Sequence, residues 1–108
     1  MNKKHLKELV ENASKIDPQN EVLIEENMQK RLNIMKENLQ DTMDYLNNCS
    51  ENELLWATEV LEELSEYFES NELITCIERN IIRCQSIEVK TQLETSIKYI
   101  KKYIQNKN

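Results

Sequence analysis

Ser50-Glu51-Asn52-Glu53-Leu54-Leu55-Trp56-Ala57-Thr58-Glu59-Val60-Leu61-Glu62-Glu63-Leu64-Ser65-Glu66-Tyr67-Phe68 is the stretch that decides the fold class of this chain. Leu54, Ala57, Leu61, Leu64 and Phe68 recur at three- and four-residue steps, the period of one helix face rather than the alternation of a strand. Ser50, with Glu53 three residues later, has the spacing of a capping box, in which a hydroxyl takes an amide that the first turn leaves unpaired. One amphipathic helix from Ser50 to about Phe68 is expected.

The same period continues on both sides. Upstream, Ile24, Met28, Leu32, Met35, Leu39, Met43 and Leu46 keep a single stripe and predict one long helix. Its end is placed at Asn47-Asn48, because asparagine is the best substitute for glycine in a left-handed position. Met28, Met35 and Met43 lie on that stripe and are expected as core fillers. Before it, Lys3 to Lys15 carries Leu6, Leu9, Val10 and Ala13 on one side. Asp17-Pro18 follows, an aspartate suited to capping and a proline suited to a first turn. Downstream, Ser70 opens a helix with Leu73, Ile77, Ile81 and Cys84, and Ser86 opens another with Val89, Leu93, Ile97, Ile100 and Ile104. The expectation is an all-α single domain over residues 1–108. About five helices pack as an antiparallel bundle or short helical array, since joints of a few residues favour sequential neighbours.

Composition supports this and closes off several functions. There are 108 residues, no glycine and one proline, a length that fits one domain. Phosphate-cradling loops and dinucleotide turns need residues without a Cβ, so neither is expected. No run approaches the roughly 18 apolar residues of a membrane span. Met1-Asn2-Lys3-Lys4-His5-Leu6 has no apolar stretch behind its charges, so it does not read as a signal peptide. Cys49, Cys76 and Cys84 are odd in number and form no C-x-x-C pair, which points to reduced, buried thiols in a cytoplasmic protein.

Catalysis and metal binding find little to work with. His5 is the only histidine and is placed in a frayed terminus. A general base or a Ser-His-Asp set would depend on it. No spacing suits zinc, and no Glu-x-x-His pair suits a di-iron centre. The expectation is a non-enzyme with no cofactor and no metal. Lys98-Tyr99-Ile100-Lys101-Lys102-Tyr103 interleaves cations with aromatics as a nucleic-acid surface does, yet an amphipathic helix with tyrosines at its rim explains it as well.

Charge is the informative feature. The net charge is −6, unevenly spread. Residues 49–78 hold nine acidic and no basic side chains, whereas residues 79–108 hold seven basic and two acidic. On a continuous helix Glu59, Glu62, Glu66 and Glu69 fall within about 80° of one another, with Glu63 beside them and Leu55 among them. Trp56 and Tyr67 flank the stripe. Such a face is either neutralised inside the molecule by Arg79, Arg83, Lys98, Lys101 and Lys102, or left open as a docking surface for a basic partner. In the second case Leu55, Trp56 and Tyr67 would be its desolvated anchors. Direct nucleic-acid binding by an acidic face is disfavoured by repulsion from phosphates and is not expected.

Glu53 to Phe68, followed by Ser70-Asn71-Glu72-Leu73-Ile74, resembles the central helix pair of small helical immunity proteins from bacterial toxin–immunity systems, including contact-dependent growth inhibition. The resemblance spans Ser50 to about Arg83. It implies a cytosolic antitoxin that binds one basic toxin domain in a 1:1 complex and occludes its active or nucleic-acid-binding surface. The toxin it implies is an RNA-cleaving nuclease, with a tRNA-cleaving EndoU-type enzyme as the specific expectation. The alternative is a small regulatory or assembly adaptor that self-associates through Leu55, Trp56 and Tyr67.

Overall fold

In a computed structural model that describes residues 1–107, the apolar periods above become helices with no strand among the described residues. Seven are present: α1 (Lys3–Ala13), α2 (Glu21–Met35), α3 (Leu39–Asn48), α4 (Glu51–Ala57), α5 (Leu61–Phe68), α6 (Asn71–Arg83) and α7 (Ile87–Lys107). The all-helical class is as expected. The number is not, because two stripes that read as single helices are each broken once.

The first break lies between α2 and α3. Asn38 is extended, and its side chain caps α3 by accepting from the Asp41 amide. Thr42, fully buried, donates its hydroxyl to the Met35 carbonyl at 2.6 Å, which satisfies an acceptor that the end of α2 would otherwise orphan. Leu32, Met35, Met43 and Leu46 are nevertheless buried on both sides of the break. The apolar stripe runs across the break, and the helix does not.

The second break, at Thr58-Glu59-Val60, divides the stretch from Ser50 to Phe68. Thr58 ends α4, and Val60 sits 1% exposed in the turn at φ −117°, ψ −5°. Ser50 does cap α4, accepting from the Glu53 amide at 3.1 Å. Two further expectations are corrected. Asn47 and Asn48 are helical, and Cys49 ends α3 in an extended conformation. The left-handed position is Glu69 (φ 48°, ψ 44°), where a chain without glycine accepts a side chain in the conformation that ends α5. Asp17 makes a local turn, its carboxylate accepting from the Gln19 amide, while Asn20 caps α2. His5 is not frayed but lies in the first turn of α1, its amide held by the Asn2 side chain.

Packing follows helix length. α4 and α5 have 7 and 8 residues and cannot bury their faces on each other. Both lie against α7, whose 21 residues make a rod of about 30 Å. α6 sits between α7 and α3, and α1 packs on α2 and touches α4. The order is therefore not a simple run of sequential neighbours. Leu6, Leu32, Leu54, Leu61, Leu73 and Leu93 come from six different helices into one core. Two polar contacts lock the joints. Arg83 donates to the carbonyls of Leu46 and Cys49 at 2.9 Å, a cation at the C-terminus of α3, and Glu51 accepts from the amides of Gln85 and Ser86 at 2.9 Å, an anion at the start of α7.

Candidate functional site

The sequence leaves open whether the acidic face is paired inside the molecule or free for a partner; folding commits several of the acids between Glu51 and Glu78. Glu51 holds the start of α7. Its pKa is lowered from the ordinary glutamate value, chiefly by the Ser86 amide. Glu53 accepts from the buried Tyr45 hydroxyl at 2.8 Å and from Ser50. Burial and then this hydrogen bond raise the Tyr45 pKa. Glu78 pairs with Lys101 at 3.6 Å.

Glu59 is not part of α5. The break places it in the α4–α5 turn, where it accepts from Arg31 at 2.7 Å. Arg31 is 3% exposed, a cation inside the protein whose neutralisation has to be local. Its other donors go to the Trp56 carbonyl at 3.0 Å and to Asn27 Oδ1 at 2.8 Å, and Asn27 in turn donates to the Leu9 carbonyl at 2.9 Å. The guanidinium also lies over the Trp56 ring, 5.7 Å from its centroid. One chain of polar contacts thus ties α1, α2 and the α4–α5 turn. Sequence reasoning missed Arg31 and Asn27. Their one-turn spacing beside Met28 and Leu32 was the available signal, since polar residues on the flank of a broad stripe are buried when a further helix packs there.

Glu72, in the first turn of α6, stays exposed, and so does the acidic row of α5. Glu62, Glu63 and Glu66 are exposed and make no ion pair or hydrogen bond among the described residues, while Leu61 and Leu64 anchor the opposite side of the helix at 0% exposure. Neutralisation of this face from the last two helices is not seen there: Arg83 is spent on carbonyls, and Lys101 goes to Glu78. Glu69 lies beyond Phe68 at the left-handed end of α5.

The three expected anchors are dispersed. Leu55 is partly buried against the core. Trp56 is partly buried beneath Arg31. Tyr67 alone is well exposed, at 57%, with the Lys36 ammonium 5.0 Å from its ring centroid and Phe68 edge-on at 5.1 Å.

Beside Glu59 a half-open cavity of about 340 Å³ separates the α1–α2 connection from Trp56. Ala13, Ile16, Pro18, Ile24 and Trp56 form its apolar wall, and Asn27, Arg31 and Glu59 its polar floor. The three cysteines are buried and unbonded. Desolvation pushes the Cys49 thiol up to about 12 and raises Cys76 and Cys84 as well, so none is held as the reactive thiolate. Among the described residues no three of His, Cys, Asp and Glu come together as metal ligands, and no helix is long and apolar enough to cross a membrane.

No protein-family model matches this chain, and comparison with curated proteins and with solved structures finds no match either.

Proposed function

We propose that this protein is an immunity protein that binds and neutralises a basic toxin domain through the acidic surface of α5. The observation that carries the reading is the open row Glu62, Glu63 and Glu66, carried by a helix anchored from its other side by the buried Leu61 and Leu64. A row of like charges on one helix lowers helix stability by a few tenths of a kcal/mol per pair, and a binding surface gives that cost a purpose. Fixed carboxylates on a rigid rod can occupy the cationic groups with which a nuclease holds phosphates, and they steer the encounter. In this reading the partner is a cytoplasm-directed RNA-cleaving toxin, of the tRNA-cleaving EndoU type suggested by the sequence resemblance. The protein contributes no chemistry and acts by occlusion, as a monomer in a 1:1 complex.

The reading expects a gene for a protein with a toxic C-terminal domain directly upstream, and the test is Glu62→Lys with Glu66→Lys, made together and assayed by calorimetry against that domain. Both positions face solvent, so the far-UV circular dichroism should be unchanged while binding is lost. Unchanged affinity would refute the reading. Self-association through Leu55, Trp56 and Tyr67 has less support, because Leu55 and Trp56 are already engaged within the fold.

A further inference from the structure

The cavity between the α1–α2 connection and Trp56 is lined by Glu59 and by no residue of the α5 acidic row. Glu59 lines the cavity and is followed three residues later by Glu62, in the first turn of α5. Its volume of about 340 Å³ lies within the range of pockets that receive ligand groups. The floor is already neutral: Arg31 is matched by Glu59 at 2.7 Å, and its remaining bonds run to Asn27 and the Trp56 carbonyl. A charged guest would lose hydration there with no unmatched opposite charge to replace it. The wall of Ile16, Pro18, Ile24 and Trp56 instead rewards an uncharged apolar group.

The chain leaving the cavity toward α5 is acidic: the Glu59 side chain, paired with Arg31, stays 34% exposed, and Glu62 and Glu63 follow three and four residues on, in solvent. A guest that inserts an apolar group would therefore bring cationic neighbours against these carboxylates.

We propose that this cavity is a docking pocket for one apolar side chain of a protein partner, presented between basic residues. The proposal rests on the immunity reading for the basic character of that partner, and it supplies what the acidic face lacks, a desolvated anchor point. Trp56 acts here as a wall of the pocket rather than as a projecting anchor.

The probes are two capped pentapeptides, Lys-Lys-Leu-Lys-Lys and Lys-Lys-Ala-Lys-Lys, titrated into isotope-labelled protein and followed by NMR. Trp56 is the only tryptophan, so its indole signal reports directly on the wall. The expected result is saturable shifts at the Trp56 indole and the Asn27 side-chain amide. The leucine peptide should bind about tenfold more tightly than the alanine peptide. Ala13→Phe, which fills the cavity from the last turn of α1, should erase that difference while leaving the contribution of the lysines. Equal affinity of the two peptides, shifts confined to α5, or no shift at the pocket up to millimolar peptide would each overturn the proposal. The mapping in the wild-type protein stands even if Ala13→Phe fails to fold. Because synthetic peptides are the probes, a negative result here and a failure of Glu62→Lys with Glu66→Lys to weaken toxin binding are separately visible.

Discussion

Replacing Arg31 with methionine is the sharpest probe of how the α4–α5 turn is held. The side chain is 3% exposed and donates to Asn27, Trp56 and Glu59 at 2.8, 3.0 and 2.7 Å. Methionine preserves much of the stem packing and removes all three bonds. Loss of a donor at the Asn27 oxygen and at the Trp56 carbonyl costs about 1 kcal/mol each. Loss of the cation over the Trp56 ring adds about 0.5–1 kcal/mol. The Glu59 carboxylate, 34% exposed, can hydrate once the pair opens. The roughly 3–5 kcal/mol typical of breaking a fully enclosed pair is therefore not reached. The expected cost of Arg31→Met is about 2–3 kcal/mol.

Glu59→Ala leaves the buried cation with its two remaining acceptors and should cost about 2 kcal/mol. The double variant should cost little more than Arg31→Met, a coupling of about 1–2 kcal/mol, because without the cation Glu59 has nothing to hold. Urea unfolding followed by far-UV circular dichroism measures all three. A cost below about 0.5 kcal/mol for Arg31→Met, or additivity of the two single changes to within about 0.5 kcal/mol, would refute the account of this junction.

Three other outcomes are expected from the same contacts. Ser65 is 7% exposed, with a hydroxyl that finds no hydrogen-bond partner among the described residues, so Ser65→Ala should stabilise the protein by about 1 kcal/mol in the same urea assay. The Glu51 pKa is lower in the folded protein than its ordinary value of 4.5, so its stabilisation is present above that pH and lost as pH falls through the folded value. Glu51→Gln should accordingly be less stable than wild type near neutrality, and the gap should narrow on acidification; a constant gap in thermal melts would contradict the α7 contact. Cys49, Cys76 and Cys84, buried and with raised pKa values, should be unreactive to a thiol reagent in the native state and all modified in denaturant. Rapid labelling of any one in the native protein would mean that its helix opens.

Helix type, the buried faces and most helix starts are local properties, and they were legible in the sequence. Leu6, Leu9 and Val10 in α1, and Val89, Leu93, Ile97 and Ile100 in α7, recur with the helical period because a helix must turn one side to the core, and Ser50, Ser70 and Ser86 stand where first-turn amides need acceptors. The concentration of acid between Glu51 and Glu78 was equally plain. Which acids stay open was not. A helical wheel through Glu59, Glu62, Glu66 and Glu69 requires one continuous helix, whereas the turn at Thr58-Glu59-Val60 leaves Glu59 outside α5 with its carboxylate on Arg31.

Tertiary contact decided these points. No glycine or proline marks the turn before α5; there Arg31, reaching from α2, takes the Trp56 carbonyl and the Glu59 carboxylate. The turn between α2 and α3 is likewise completed by Thr42, whose hydroxyl satisfies the end of the preceding helix. Periodicity records which side of each segment is apolar. It does not record that a partner 25 residues away along the chain accepts or donates the bond that lets a helix stop. For that reason the sequence by itself determined an acidic, all-helical protein, while only the assembled core determined that Glu59 is committed to Arg31 while Glu62, Glu63 and Glu66 stay in solvent, and that Glu59 and Trp56 line a pocket.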